Sequence, residues 1–371
     1  MPSAVIGSTL SKKTMNPPGL NEHYRGTETM RPGLEIDPGC VQRFFEDRIE
    51  GFDGEARILQ FRGGQSNPSY RVDSGNCSWV IRRKPPGLLL PSAHAVDREF
   101  RVLKALAETD VPVPKTNIIC MDESVLGTAF YVMDYVEGPV YWEALLPGKT
   151  PVERRLIYDA MNEGIARLHK ADYLKLELED FGRPGNYVQR QLKRWGKQYL
   201  EADFERIPEM DLLIEWLGER IPEQESTSIV HGDYRLDNMI FHPQEPRVLA
   251  ILDWELCTLG DPLADFAYHV MQWRIPRELH RGLAGCDLDT LGIPNEKEYV
   301  AAYCRRTSRE EIPNWEVYMI FSMFKLGAIF YGILVRQHLG TAVSEHAASA
   351  GAIAAPMAKL GWKEVQKQGL D

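Results

Sequence analysis

Asp233 and Asn238 stand five positions apart in the run His231-Gly232-Asp233-Tyr234-Arg235-Leu236-Asp237-Asn238, and Asp253 follows Asn238 by fifteen. A carboxylate, a carboxamide and a second carboxylate in that order suit phosphoryl transfer to an alcohol. The chemistry needs a base at the attacking hydroxyl and two oxygen donors for the hard cation that neutralises the phosphates. Asp253 ends the apolar run 248–252, so a short strand would deliver it. A lone D-x-x-x-x-N carries little information, whereas the ordered pair at hairpin distance carries much more. His231 reads as a buried brace that holds the loop through backbone hydrogen bonds, rather than as a catalytic imidazole.

The elements that must position these residues divide the chain in two. A helix is expected over 41–50 and a strand over 56–61, broken by Gly63-Gly64-Gln65-Ser66-Asn67-Pro68. Strands over 69–73 and 77–82 pair across Ser74-Gly75-Asn76. A helix over 95–108 carries Phe100, Leu103 and Leu106 on one side and stops at Val111-Pro112-Val113-Pro114. Strands over 118–122 and 129–134 follow, and Glu137-Gly138 loosens the chain. Beyond that point helices dominate, over 154–170, 187–203, 208–221, 263–274, 296–307 and 314–338. The segment 239–253 supplies the single strand pair of this half. The organisation is α+β, with an arm over 1–34, a strand-rich lobe over 35–136 and a helical lobe over 137–371.

Composition narrows the classes. With 43 Lys and Arg against 53 Asp and Glu the net charge is −10 and no long basic block occurs, which argues against a nucleic-acid surface. Six cysteines without C-x-x-C spacing read as reduced, mostly buried thiols of a cytoplasmic protein, not as a zinc site or a disulfide framework. No apolar run approaches the roughly 18 residues of a membrane span, so no membrane is expected as a partner. Pro147-Gly148-Lys149-Thr150 lacks the leading glycine of a phosphate-binding Walker loop, position 143 being Glu143; it reads as a plain loop.

At 231–238 and 251–255 the sequence resembles the aminoglycoside phosphotransferase family, in the branch found alone or fused to acyl-CoA dehydrogenases. Further stretches carry the resemblance over roughly 35–360. They are Gly64-Gln65-Ser66-Asn67-Pro68-Ser69-Tyr70, Val80-Ile81-Arg82-Arg83-Lys84-Pro85-Pro86-Gly87, Ala93-His94-Ala95-Val96-Asp97-Arg98-Glu99 and Arg190-Gln191-Leu192-Lys193-Arg194-Trp195. The resemblance implies a two-lobed protein-kinase-like fold: a small antiparallel β lobe with one main helix, and a larger, mostly helical lobe. It also implies ATP and Mg²⁺ as cofactors. Asp233 would accept the proton of the acceptor hydroxyl or orient it, and Asn238 and Asp253 would hold the metal.

Gly64, Gln65, Ser66 and Asn67 would lie over the phosphates, although the loop lacks G-x-G-x-x-G. Arg82 stands where kinases place a phosphate-binding Lys, with Lys84 two residues on as the other candidate, and Glu99 is the expected ion-pair partner. The Asp134 carbonyl and the Val136 N–H would read the adenine edge through the backbone. Asp261 and Asp265 read as scaffold carboxylates that cap a helix or brace the loop.

The acceptor is less legible. The branch implies a small hydroxylated substrate, a hydroxy acid or hydroxyacyl-CoA, and a functional link to an acyl-CoA dehydrogenase. A kinase for aminoglycosides and a pseudokinase scaffold are the alternatives. Arg190, Lys193, Arg194 and Lys197 share a helix face that either meets an anionic acceptor or is merely solvated. The apolar residues of 314–338 read as core.

Overall fold

The computed structural model describes residues 26–62, 67–87, 95–339 and 350–369. Gly64, Gln65 and Ser66 of the expected phosphate loop lie outside the described residues; Asn67 lies within them.

The small lobe is one antiparallel sheet of β1 (Thr27–Glu28), β2 (Arg57–Phe61), β3 (Ser69–Ser74), β4 (Cys77–Arg83), β5 (Thr116–Cys120) and β6 (Phe130–Asp134). Its spatial order is β1-β2-β3-β4-β6-β5. Thr27 and Glu28 pair with Phe61 and Gln60, so the sheet draws its edge strand from a segment read in the sequence as part of the arm. Alternation along β4 decides which side chains face the large lobe. Trp79 and Ile81 join a core with Val41 and Phe45 of helix α1 (Pro38–Arg48). Val80 packs on the other side with Val102 and Leu103 of helix α2 (Val96–Leu106), and Arg82 shares that side.

Two boundaries differ from the sequence expectation for local chemical reasons. Helix α1 begins at Pro38, not 41, because Asp37 caps it by accepting from Cys40 N at 2.7 Å and proline suits the first helical position. Strand β5 occupies 116–120, not 118–122: Asp122 accepts from Ser124 N at 2.9 Å and turns the chain into a short helix.

The large lobe holds the short strands β7 (Ser228–Val230), β8 (Met239–Phe241), β9 (Val248–Ile251) and β10 (Thr258–Gly260). Its longer helices are α3 (Pro151–Lys170), α4 (Tyr187–Leu200), α5 (Pro208–Arg220), α6 (Pro262–Val270), α7 (Glu296–Arg306), α8 (Trp315–His338) and α9 (Ala354–Lys367). The expected hairpin β8–β9 is present. It is not the single strand pair of this half, because β7 pairs antiparallel with β10. All three residues of β7 are buried, and a three-residue strand leaves no alternation to read.

Thr150 and Glu153 close a capping box at the start of α3, which accounts for the Gly148-Lys149-Thr150 stretch without any phosphate. Helix α8 packs against α4, α6 and α9. Its 24 residues, with a mean hydropathy of 1.7 in the most apolar window, are long and apolar enough to cross a bilayer by length and composition, but 78% of that window is buried inside the protein. It is the central core helix of the lobe. All six cysteines are free, and only Cys120, Cys257 and Cys304 are buried, fewer than expected.

Candidate active site

Strand β7 delivers the chain into the loop at His231. The backbone N–H groups of His231 and Gly232 each donate to one oxygen of Asp265, both at 2.8 Å. Burial opposes ionisation of that carboxyl, but the bond from His169 and the loop N–H groups outweigh it and bring the pKa to about 2. Asp265 is therefore an anionic clamp on the loop, and Asp261 accepts from Leu263 N at 2.9 Å as the cap of α6.

Gly232 has φ +84, and a Cβ there would lie 3.0 Å from both Cβ and O of Leu256. Only glycine accommodates that turn between His231 and Asp233. His231 is fully buried; its Nδ1 accepts from Asp233 N at 3.2 Å and its Nε2 donates to Leu252 O at 2.9 Å. These partners assign the proton to Nε2 and make the ring the brace between the loop and the strand end that bears Asp253.

The Asn238 amide nitrogen donates to Asp233 O at 2.9 Å and to Asp233 Oδ2 at 3.2 Å. The pairing of Met239 with Ile251 and the bond from Leu252 N to Asn238 O at 2.8 Å bring Asn238 and Asp253 to one end of the β8–β9 hairpin. Asp253 itself sits at φ +65, a left-handed conformation uncommon for a residue other than glycine. With its nitrogen committed to Asp233, Asn238 has its oxygen left to offer. That atom and the Asp253 carboxylate are two hard donors, a set that fits Mg²⁺ when phosphate and water complete the shell. Among the described residues no group of three His, Cys, Asp or Glu gathers as a self-sufficient metal site.

Across the cleft, Arg82 donates through Nε to Glu99 Oε2 at 2.6 Å and through Nη2 to Asp253 Oδ1. Glu99, 1% exposed, also accepts from Asn67 Nδ2 at 2.6 Å and from the Tyr131 hydroxyl at 3.1 Å. Burial alone would lower the Arg82 pKa, but Glu99 and Asp253 more than offset it and the pKa is raised. Of the two candidate cations, Arg82 is the one this cluster holds. Lys84 lies past the strand end, where its backbone bonds Ala129 O and Thr128 Oγ1.

The linker follows β6. The Asp134 side chain accepts from Asn117 Nδ2 at 2.8 Å, and Val136 is half-buried in the connection. Gly138 presses so closely on β8 that a Cβ would lie 2.1 Å from Phe241 O. The basic face of α4 is not uniform: Arg190 turns back to Gly185 O and Arg183 O, and Lys197 pairs with Glu201.

Three cations beside the loop escaped the sequence reading. Lys325 of α8 donates from Nζ to Gly232 O at 3.1 Å and lies 4.0 Å from the Tyr268 ring centroid. Its signal was a lone lysine in an apolar helix. Arg235 lies 3.4 Å from Asp233 Oδ1, and Arg281 shares Asp237 with it. Arg235 stood inside the motif, whereas nothing in the sequence marks Arg281.

The mouse protein acyl-CoA dehydrogenase family member 10 is 45% identical over 346 residues, which cover 92% of this chain and 32% of that protein. The chain thus spans about a third of that relative's length. A Ralstonia eutropha crystal structure, assigned provisionally as an aminoglycoside phosphotransferase, shares 48% identity with a TM-score of 0.82, covering 90% of this chain and 99% of that one. Aminoglycoside phosphotransferase APH(4)-Ia, solved as a thermostable variant with AMP-PNP and hygromycin B, shares the fold at 17% identity and TM-score 0.55, covering 86% of this chain and 98% of its own. The model of the phosphotransferase enzyme family matches residues 57–318, and with the two-lobed kinase-like fold it shows that the chain belongs to this family of small-molecule phosphotransferases.

Proposed function

We propose that the protein transfers the γ-phosphate of ATP, with Mg²⁺, to a hydroxyl of a small acceptor. The observation that carries this reading is the cluster in which Asp233, Asn238 and Asp253 converge at one hairpin end while Arg82, fixed by Glu99, faces Asp253. Asp233 takes or orients the hydroxyl proton, and a positioned base of this kind contributes about 10²–10⁴-fold. Asn238 and Asp253 hold the metal, which when bound neutralises charge on the phosphate oxygens. Arg82 meets those oxygens with a guanidinium that stays charged at any working pH. Asn67 acts through Glu99, which its amide holds beside Arg82, and the backbone at Asp134 and Val136 meets the adenine edge. The AMP-PNP complex of the distant APH(4)-Ia supports the nucleotide assignment. The acyl-CoA dehydrogenase name of the mouse relative supports a hydroxy acid or hydroxyacyl-CoA as acceptor.

The test is ADP release over a panel of alcohols, run with wild type and Asp233→Ala. The variant is expected to lose turnover while binding ATP with near-unchanged affinity. Loss of ATP binding in a folded Asp233→Ala protein would contradict the assigned role.

A further inference from the structure

Glu99 sits in the first turn of α2, and that turn lacks a side-chain cap, because the residue ahead of it is Ala95. The position of its carboxylate therefore depends on what holds the helix from outside. Two arginines that flank Glu99 in sequence leave the small lobe and reach the connection 171–186 of the large one. Arg98 donates from Nη2 to Phe181 O at 2.6 Å and, more weakly, to Cys257 O at 3.5 Å. Its guanidinium carbon lies 4.1 Å from the centroid of the Phe181 ring. Arg101 donates to Asp180 and, at 2.7 Å, to Glu177 O.

The two contacts are unequal. The Arg101 and Asp180 side chains are 43% and 70% exposed, and an ion pair so open to water contributes little. Arg98 meets a firmer seat. Phe181 is buried, and Gly182 after it lies so close to β10 that a Cβ there would stand 2.6 Å from Leu259 N. Cys257, also buried, ends the turn Trp254–Leu256 that follows Asp253. Arg98 thus ties the turn that carries Glu99 to the segment that begins at Asp253, alongside the bridge made by Arg82.

Resting on the phosphotransfer reading above, we propose that Arg98 is a positioning residue for the reaction. It seats α2 on the large lobe, so that Glu99 stays on Arg82 Nε and the guanidinium stays aimed at the phosphates. Arg98 acts on the nucleotide through Glu99 alone, and the exposed Arg101 pair does not share the role.

The experiment titrates AMP-PNP with Mg²⁺, and separately adenosine, into wild type, Arg98→Ala, Arg98→Lys and Arg101→Ala. Thermal denaturation is the folding control. Arg98→Ala should bind AMP-PNP about tenfold more weakly, the scale of one misaligned charged hydrogen bond, and adenosine as wild type does. Arg98→Lys keeps the charge and should recover part of the loss, while Arg101→Ala should match wild type. A second series in Glu99→Gln closes a double-mutant cycle, in which Arg98→Ala should add about twofold or less. Should Arg98→Ala lose its folding transition, Arg98→Lys goes through the same cycle and is judged by the same contrasts. An unaltered AMP-PNP affinity in the folded Arg98 variant, an equal loss for adenosine, an equal loss in Arg101→Ala, or a full additional loss in Glu99→Gln would each overturn the inference while leaving phosphotransfer intact. A wild type that binds AMP-PNP with Mg²⁺ no more tightly than adenosine would sink both.

Discussion

Arg82 Nη2 donates to Asp253 Oδ1 across 171 positions of sequence, while Nε of the same guanidinium holds Glu99. One side chain therefore joins strand β4, helix α2 and the end of β9, and so fastens the small lobe to the large one. Replacement by methionine should leave Glu99 buried with only the neutral donors Asn67 and Tyr131. Breaking a buried pair in this way costs about 3–5 kcal/mol. Arg82→Lys keeps the charge, but a single ammonium does not reproduce the fork, so a smaller loss and weaker nucleotide binding are expected. Urea denaturation of the three proteins checks this, and a loss under about 1 kcal/mol in Arg82→Met would show that Glu99 does not depend on the cation.

The hairpin end predicts a metal phenotype with two parts. Asp253→Ala removes the charged donor and should abolish turnover at any Mg²⁺ concentration. Asn238→Ala removes a neutral donor and also the bonds that hold Asp233 at 2.9 and 3.2 Å. It should raise the Mg²⁺ needed for half-maximal rate by about tenfold, the scale set by losing a single metal-ligand contact of about 1.4 kcal/mol, and lower kcat as well. A Mg²⁺ titration of ADP release reads both effects. An unchanged Mg²⁺ requirement in Asn238→Ala would remove that residue from the metal.

These residues were legible because motif spacing and strand order survive without coordinates. Asp233, Asn238 and Asp253 lie on one short stretch, whereas Arg82 rested on the resemblance and shared its strand face with Lys84, which alternation alone does not separate. The reading of His231 as a brace rested on residue type and place in the motif, and its bonds to Asp233 N and Leu252 O fit that reading. The β7–β10 pair was not legible, because strands of three residues leave no period to detect. Arg281 was illegible for a different reason. It reaches Asp237 from 44 positions away through a short helix and a left-handed turn, and no local pattern encodes such a contact. Lys325 was hidden by the apolar residues around it, since a helix read as core invites no search for charge.

Acid should destabilise the protein in two steps. His269 is buried between Tyr234 O at 3.1 Å and the Tyr299 hydroxyl at 2.8 Å, and burial lowers its pKa from 6.5 to about 4. A folded pKa below the unfolded one means full stability above pH 6.5, lost progressively as pH falls through 4, in all about 3 kcal/mol. Asp265, at about 2 against 3.8, contributes stability present above 3.8 and lost as pH falls through 2, about 2 kcal/mol more. Urea midpoints measured from pH 7 to 3 should fall along the first limb in wild type. His269→Gln should flatten that limb alone, whatever its stability at pH 7. A parallel decline in both proteins would assign the acid sensitivity elsewhere.

Lys325 supports the turn that aims Asp233. Its side chain is 6% exposed, its Nζ donates to Gly232 O at 3.1 Å, and burial lowers its pKa against the opposing pull of Asp265 and Asp233. In Lys325→Met the carbonyl of Gly232 loses its donor, a cost of about 1–3 kcal/mol for a buried acceptor. Removing a buried ammonium offsets part of that cost, so Tm should move by only a few degrees. The peptide that precedes Asp233 is left free to tilt, and the base is then misplaced with respect to the acceptor hydroxyl. Such misplacement acts on the chemical step, so kcat should fall by about tenfold or more while the affinity for ATP stays near that of wild type. Steady-state kinetics and a nucleotide-binding titration on the same preparation separate the two. A kcat equal to wild type would make Lys325 a packing residue of α8 and nothing more.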